Sequence, residues 1–149
     1  MAPSDLTQFS ALALRENGLV VVTTLRGDGS MQASVVNAGV IEHPVTGAAS
    51  VALVAMGGSR KLANFRVRAN TTIVARVGWE WIAVEGVAEI IGPDDPAAGV
   101  DGEALRLLLR AIFSAAGGTH DDWPEYDRVM AEGRRAAVIV TPTRVYSNG

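Results

Sequence analysis

The sequence predicts a mainly β protein, a six-stranded antiparallel barrel with about four helices. Six segments rich in β-branched residues have the length of strands, and short glycine-containing turns connect most of them. Strands joined by hairpins pair antiparallel, which favours a barrel over a doubly wound parallel sheet. No repeat or linker divides the 149 residues, so we expect a single domain over residues 1–149.

The first elements are a helix and a hairpin. A helix is predicted over residues 4–17, with Ser4 as its N-cap and Gly18 as its stop. Strands follow over residues 19–25 and 31–41, and a Gly-Asp-Gly-Ser turn separates them. This part of the chain therefore supplies the first two strands of the barrel.

The middle of the chain alternates strands with one short helix. A strand over residues 49–55 ends at a glycine pair, and a short amphipathic segment follows it. Residues 71–77 and 81–91 read as paired strands around Gly78. These segments bring the number of predicted strands to five.

The C-terminal part is predicted to hold two helices and the last strand. Leucines at helical spacing indicate a helix over residues 102–116, and a capping box predicts a second helix from Asp122 to Gly133. A final strand over residues 136–146 is expected to bend at Pro142.

Composition excludes several classes of function. The net charge of −3 argues against general nucleic-acid binding, and the absence of cysteine excludes disulfides and thiolate metal sites. Neither a signal peptide nor a membrane span is recognisable, so we expect a cytoplasmic protein. The mean hydropathy of +0.21 is high for a small monomer and predicts a symmetric dimer, with a well-covered barrel core as the alternative.

A basic segment after the third strand predicts an anion site. The sequence Met-Gly-Gly-Ser-Arg-Lys begins at Met56, and Ser59 is placed to cap a helix whose first turn holds Arg60 and Lys61. A helix N-terminus favours anions, so two cations there are unusual unless an anion binds. We therefore predict a phosphate site at this turn, with a solvated basic helix face as the alternative.

Two tryptophans form a second candidate feature. Trp79 and Trp81 flank Glu80, and strand alternation would put both indoles on one side of a strand. They could wall a planar cofactor pocket or pack in a dimer interface. The plainer alternative places one of them in the core.

Other side chains give little support to acid–base or metal chemistry. His43 precedes a proline in a turn and His120 lies beside two aspartates, so both are expected at the surface. The pair Asp94 and Asp95 falls in a loop, where capping explains it. No catalytic side chain and no metal site is predicted.

Four segments, taken in order, carry a resemblance to a known family: residues 19–34 with their Gly-Asp-Gly turn, Lys61-Leu-Ala-Asn-Phe65, Gly78-Trp-Glu-Trp81 leading to 84–88, and His120-Asp-Asp-Trp-Pro-Glu-Tyr126 leading to 134–135 and 144–146. They resemble the split β-barrel flavoproteins related to pyridoxamine 5′-phosphate oxidase. More narrowly, they are similar to the B group of flavin/deazaflavin oxidoreductases, which use the deazaflavin coenzyme F420.

The resemblance implies an FMN-binding split barrel with Greek-key-like connections, assembled as a homodimer with two equivalent cofactor sites at the subunit interface. It implies a cofactor-binding set made of a phosphate group (Ser59, Arg60, Lys61, Asn64), a ring strand (Gln32, Ser34, Val36, Asn37) and candidate neighbours (Trp79, Trp81). Lys61 is the expected main phosphate ligand, because its point charge can reach a phosphate.

The function that follows is an F420-dependent oxidoreductase that transfers a hydride between the deazaflavin and a small unsaturated organic substrate. The hydride chemistry would belong to the cofactor, and the protein would supply binding and orientation. The alternatives are an FMN-dependent enzyme like pyridoxamine phosphate oxidase, or a protein that binds a flavin, deazaflavin or haem without turnover. No motif records the substrate or the direction of hydride transfer.

Overall fold

The structure is a computed structural model that describes residues 6–149. Six strands and four helices follow one another in this part of the chain: α1 (Thr7–Arg15), β1 (Leu19–Leu25), β2 (Met31–Glu42), β3 (Ala49–Ala55), α2 (Arg60–Val67), β4 (Asn70–Val77), β5 (Glu80–Ile91), α3 (Gly102–Ala115), α4 (Trp123–Glu132) and β6 (Ala136–Ser147). None of these helices is both long and apolar enough to cross a membrane.

The strands close into an antiparallel barrel in the order β1-β2-β3-β6-β5-β4, which confirms the predicted fold class. Alternate residues of each strand point inward, because successive side chains leave a strand on opposite faces. Val22, Val51, Ile73 and Val84 belong to this fully buried interior. Burial of such aliphatic side chains is the main source of stability for a core with few aromatics.

Two helices contribute to the core of the barrel. Phe9 and Leu12 of α1 and Leu62 and Phe65 of α2 are buried in the same cluster as the inward-facing strand residues. The helix α1 is shorter than predicted, and Ser4, its expected cap, lies outside the described residues. Gly18 follows α1 with a φ of 78°, as its predicted role as a stop requires.

A second layer packs on the outside of β2, β3 and β6. There α3 and α4 bury Leu108, Leu109, Ile112 and Tyr126 against outward-facing strand residues. The helix α3 crosses β2 at Gly39, where a Cβ atom would lie 2.4 Å from the carbonyl carbon of Ala115. A glycine is therefore required at this crossing.

The boundaries of all six strands agree with the predicted ones to within one residue. The bend expected at Pro142 is a register shift in the pairing of β5 with β6, located between Glu85 and Gly86. A proline is tolerated at such an irregularity because the ladder is already interrupted there.

Candidate functional site

The strand β2 changes its pairing partner at Ala38. Residues 31–37 pair with β1, whereas pairing with β3 begins only at Ala38, opposite Leu53. Along residues 31–37 the other edge of β2 pairs with no described strand, so β2 and β3 diverge from Ala38. Backbone groups on such an edge are available to a ligand.

A polar cluster lies beside this open part of β2, where side chains of α2 reach β1 and β2. The ammonium of Lys61 donates to the hydroxyl of Ser34 at 2.9 Å. The side-chain amide of Asn64 donates to the hydroxyl of Thr24 at 2.9 Å and to the carbonyl oxygen of Gln32 at 3.2 Å. We call these five residues, from α2, β1 and β2, the polar cluster.

The polar cluster unites four of the predicted site residues. Lys61 and Asn64 were predicted as ligands of the phosphate-bearing tail, and Gln32 and Ser34 as residues beside the ring. Gln32 and Ser34 alternate along one face of β2, and Lys61 and Asn64 are three residues apart on α2. Thr24, which lies opposite Gln32 in the strand register, was not predicted.

The charge of Lys61 is not neutralised within the described residues. Lys61 is half-buried, is the only lysine of the chain, and forms no ion pair with a residue in 6–149. A half-buried cation held only by a hydroxyl leaves its charge available to an anion. This is the electrostatic feature that the basic segment predicted.

Two arginines near α2, Arg66 and Arg134, differ from Lys61 because carboxylates pair with them. Arg66 donates to both oxygens of Asp95, and Arg134 donates to both oxygens of Asp94. The expectation that capping explains Asp94 and Asp95 is therefore wrong, because they form ion pairs with arginines. The Arg134 guanidinium holds the pKa of Asp94 below its ordinary value.

The turn before α2 matches its prediction. Ser59 is the N-cap, and its hydroxyl accepts from the backbone N–H of Leu62 at 3.4 Å. The N–H of Gly57 donates to the carbonyl of Gly133 at 3.0 Å, which ties the turn to the end of α4. Arg60 is exposed and forms no ion pair with a described residue, so it can turn toward a ligand.

A cavity of about 590 Å³ opens where β2 and β3 diverge. Its strand side includes Val36, Asn37 and Val54, and its helical side includes Phe113, His120 and Tyr126. Val36 is two residues from Ser34 on the same face of β2, so the cavity and the polar cluster lie about 7 Å apart along one strand. Asn37 faces outward, and its side-chain amide donates to the carbonyl of Asn17 at 2.9 Å.

The two tryptophans do not share a strand face. Trp79 lies with Gly78 in the turn between β4 and β5 and is 93% exposed, because β5 begins only at Glu80. Trp81 is half-buried and packs edge-to-face on Tyr146, with ring centroids 6.1 Å apart. This turn is at the end of β4 farthest from α2, so within one chain neither indole joins the polar cluster.

The histidines are not plain surface residues, contrary to expectation. His43 is 8% exposed; its Nδ1 accepts from two backbone N–H groups, and its Nε2 lies 2.7 Å from a carboxylate oxygen of Glu89. His120 is half-buried among the rings of Phe113, Trp123 and Tyr126. Burial raises the pKa of Tyr126, whose hydroxyl donates to a backbone carbonyl of α3 at 3.0 Å.

Sequence reasoning missed the helical side of the cavity. Its aromatic residues come from α3, α4 and the segment between them, and their spacing in the chain reads as ordinary helix packing. One signal was present, because His120, Trp123 and Tyr126 follow one another at intervals of three in a chain with few aromatics.

Comparison with solved structures identifies the fold. A conserved hypothetical protein, Rv2991 from Mycobacterium tuberculosis, matches with a TM-score of 0.67 at 18% identity, over 99% of this chain and 87% of that one. The chain is a split β-barrel. An F420 reductase shares this split barrel with a TM-score of 0.57 at 13% identity, over 86% of this chain and 88% of that one.

A candidate pyridoxamine 5′-phosphate oxidase from Listeria innocua also has the split barrel, with a TM-score of 0.59 at 11% identity over 95% of both chains. No family model matches the sequence. At these identities the likeness establishes the fold alone.

Proposed function

We propose that this split barrel is an F420-dependent oxidoreductase, which transfers a hydride between the deazaflavin and a small unsaturated organic substrate. The observation that carries the proposal is the unneutralised ammonium of Lys61, held 2.9 Å from Ser34 beside the open edge of β2. A phosphate there would gain a charge-assisted hydrogen bond. The likeness to an F420 reductase supports the deazaflavin.

The residues present fit such a cofactor. Lys61, Ser59 and Arg60 would hold the phosphate-bearing tail at the start of α2, and Asn64 would keep α2 docked on β1 and β2 through its two hydrogen bonds. The cavity beside Val36 is large enough for a tricyclic ring. When bound, the deazaflavin supplies the hydride chemistry, and the chain supplies binding and exclusion of water.

We further propose that the active form is a homodimer with its cofactor sites at the subunit interface. The outer face of β1 and β2 exposes four large apolar side chains: Leu19, Val21, Met31 and Val35. Val21 and Val35 are directly opposite each other in the register, as are Leu25 and Met31, so the face is continuous. A second copy of the chain would bury this face next to the open edge of β2.

A side-by-side titration with F420 and FMN tests the proposal. We expect F420 to bind more tightly than FMN, and Lys61→Ala to weaken F420 binding by about 1–3 kcal/mol, as for a charge-assisted hydrogen bond. Arg76→Ala is the matched control, because Arg76 is an exposed cation of β4 without an ion pair to a described residue. Cofactor fluorescence gives the affinities.

The outcomes of this titration separate the candidate functions. Tight binding of FMN alone would favour the FMN-dependent alternative, which the likeness to a pyridoxamine 5′-phosphate oxidase candidate supports. Binding of F420 without reduction of any acceptor by reduced F420 would indicate a carrier. Binding of neither cofactor contradicts the proposal.

A further inference from the structure

The helical side of the cavity is built of aromatic rings. The rings of Phe113 and Tyr126 have centroids 5.1 Å apart, and His120 lies 5.8 Å from Tyr126. The strand side presents the apolar side chains of Val36 and Val54 beside the amide of Asn37. Such surfaces bury a flat apolar molecule well, because aromatic faces add ring–ring contact to the burial of area.

Arg135 borders this cavity with its hydrogen-bonding capacity unused. Its buried Nε has no partner, and it is the one buried side-chain nitrogen or oxygen within residues 6–149 in that state. Its terminal nitrogens are not buried and also lack a partner among the described residues. An unpaired guanidinium favours a carboxylate, whose two oxygens match the guanidinium fork.

The other cations around α3 and α4 are already paired. Arg106 and Arg110 share the carboxylate of Asp127, and Arg134 pairs with Asp94. Arg135 is therefore the cation here whose charge a ligand can still neutralise. A ligand that accepts from Arg135 would remove a cost, because a buried donor without an acceptor is unfavourable.

His120, another residue that lines the cavity, also has an unused donor. The backbone N–H of Asp122 donates to Nδ1 of His120 at 3.0 Å. The neutral imidazole therefore carries its proton on Nε2, which makes no hydrogen bond with a described residue. A ligand that accepts hydrogen bonds suits both Arg135 and His120.

Arg135 also borders a second cavity, of about 380 Å³, which is lined by residues of α3 and α4 and shares Tyr126 with the first. The arginines that line the second cavity besides Arg135 are the paired Arg106 and Arg134, and neither Phe113 nor His120 reaches it. The cavity beside β2 thus combines the free guanidinium with flat aromatic walls.

We propose that the cavity beside β2 binds a planar aromatic carboxylate, with its ring against Phe113 and Tyr126 and its carboxylate on Arg135. Calling this ligand the substrate rests on the proposed function, which puts the cofactor on the strand side of the same cavity. The partner of the deazaflavin in hydride transfer would then be a conjugated carboxylate. Binding itself does not depend on the cofactor.

Isothermal titration calorimetry with 2-naphthoate and its neutral isostere 2-naphthamide tests this proposal. Each compound is titrated without added cofactor and again with saturating F420. We expect the carboxylate to bind about tenfold more tightly than the amide, the scale of one charge-assisted hydrogen bond. Arg135→Gln should remove this preference and leave the affinity for 2-naphthamide unchanged.

Two variants serve as controls. Arg76→Gln makes the same change of charge on an exposed part of β4, and Ala131→Leu narrows the second cavity alone. Both should keep the preference for the carboxylate. If Ala131→Leu abolished the preference for the carboxylate, the ligand would bind in the second cavity, and the proposal would be overturned.

The remaining outcomes are decisive in the same way. Absence of 2-naphthoate binding under both conditions, equal binding of the two compounds, or a preference that survives Arg135→Gln overturns the proposal. If Arg135→Gln does not fold, the preference of the unaltered protein and its persistence in Ala131→Leu decide. Binding of 2-naphthoate without any F420 binding would contradict the proposed function but support this site.

Discussion

Lys61 is the residue on which the proposed cofactor site depends, and Ser34 fixes its position. A lysine side chain is flexible, and ordering it in a bound geometry costs conformational entropy. The hydrogen bond from Lys61 to Ser34 orders the ammonium before a ligand arrives, without neutralising it. Preorganisation of this kind improves affinity because the side chain is already ordered in the free protein and loses little entropy on binding.

Ser34→Ala should therefore weaken F420 binding by about 0.5–1.5 kcal/mol, the net value of one hydrogen bond. The double variant with Lys61→Ala should lose less than the sum of the two single losses, because both act through one ammonium. Ser30→Ala, in the exposed turn before β2, is the control and should bind normally. Strictly additive losses in the cofactor titration would contradict the coupling.

Because Lys61 is the only lysine, reductive methylation with [¹³C]formaldehyde labels it and otherwise only the N-terminal amine. Methylation keeps the positive charge. We expect F420 to shift the Lys61 methyl resonance in a ¹H–¹³C spectrum and to leave the N-terminal resonance in place. The spectrum of Lys61→Arg assigns the signal. A Lys61 resonance that does not shift when F420 binds would show that the lysine does not contact the cofactor.

At the scale of the element, the docking of α3 on β2 fixes the shape of the cavity. The crossing at Gly39 lets the backbone of α3 approach the strand, two residues from Asn37 on the cavity wall. The close approach holds the end of α3, with Phe113, near the point where β2 and β3 diverge. A change at Gly39 should therefore affect both stability and the cavity.

Gly39→Ala should destabilise the protein by about 1–3 kcal/mol, as for other overpacked sites, because its Cβ would lie 2.4 Å from a backbone carbon of α3. Gly102→Ala is the control, since nothing lies within 4 Å of the added Cβ. Urea unfolding followed by circular dichroism measures both. Equal stability of the two variants would mean that α3 shifts freely on β2.

The ion pairs between α3 and α4 make stability depend on pH. Asp127 of α4 accepts from Arg106 and Arg110 of α3, which lowers its pKa to about 2 from an ordinary value near 4. Since the folded-state pKa is below the unfolded one, this contribution is complete above about pH 4 and is lost as the pH falls toward 2.

Asp127→Asn should accordingly cost about 1 kcal/mol of unfolding free energy at pH 7, on the scale of an ion pair at a partly exposed site. The difference between the variant and the unaltered protein should shrink as the pH falls from 4 toward 2. Denaturant unfolding at a series of pH values provides the measurement. A difference that does not depend on pH would show that the asparagine perturbs packing instead.

The sequence predicts elements better than it predicts contacts between them. The caps Ser59 and Asp122 follow from short-range rules, and the structure confirms both. Trp79 was misplaced because strand alternation holds only inside a strand, and the turn extends one residue past Gly78. Contacts such as Lys61 with Ser34, or Arg135 with an aromatic wall, depend on how α2 and α3 pack, which no local pattern encodes.

At the scale of the whole molecule, the outer face of β1 and β2 is the clearest departure from a normal soluble surface. Single exposed apolar residues are ordinary, but a continuous apolar strip on a sheet face marks an interaction site. This strip adjoins the open edge of β2, so a partner seated on it would also border the cofactor site. The high mean hydropathy of the chain agrees with a surface of this kind.

Val35→Asp should convert the proposed dimer to a monomer, because it puts a charge on the 65% exposed centre of this strip. Val45→Asp is the matched control, since Val45 is 57% exposed in the turn between β2 and β3. Light scattering after size-exclusion chromatography gives the masses. A monomeric unaltered protein, or a Val35→Asp dimer, would contradict the proposed assembly.

The one-sided pairing of β2 gives a single strand two different rates of amide hydrogen exchange. Between Met31 and Asn37, β2 pairs with β1 alone, so the amides that bond to β1 open only when this strand pair opens. Between Met31 and Asn37, every second amide points away from β1 and exchanges with solvent in the unoccupied protein. A ligand or partner that covers this edge would slow exchange in these alternate amides alone, so the pattern along one strand records occupancy of the site without any assay of turnover.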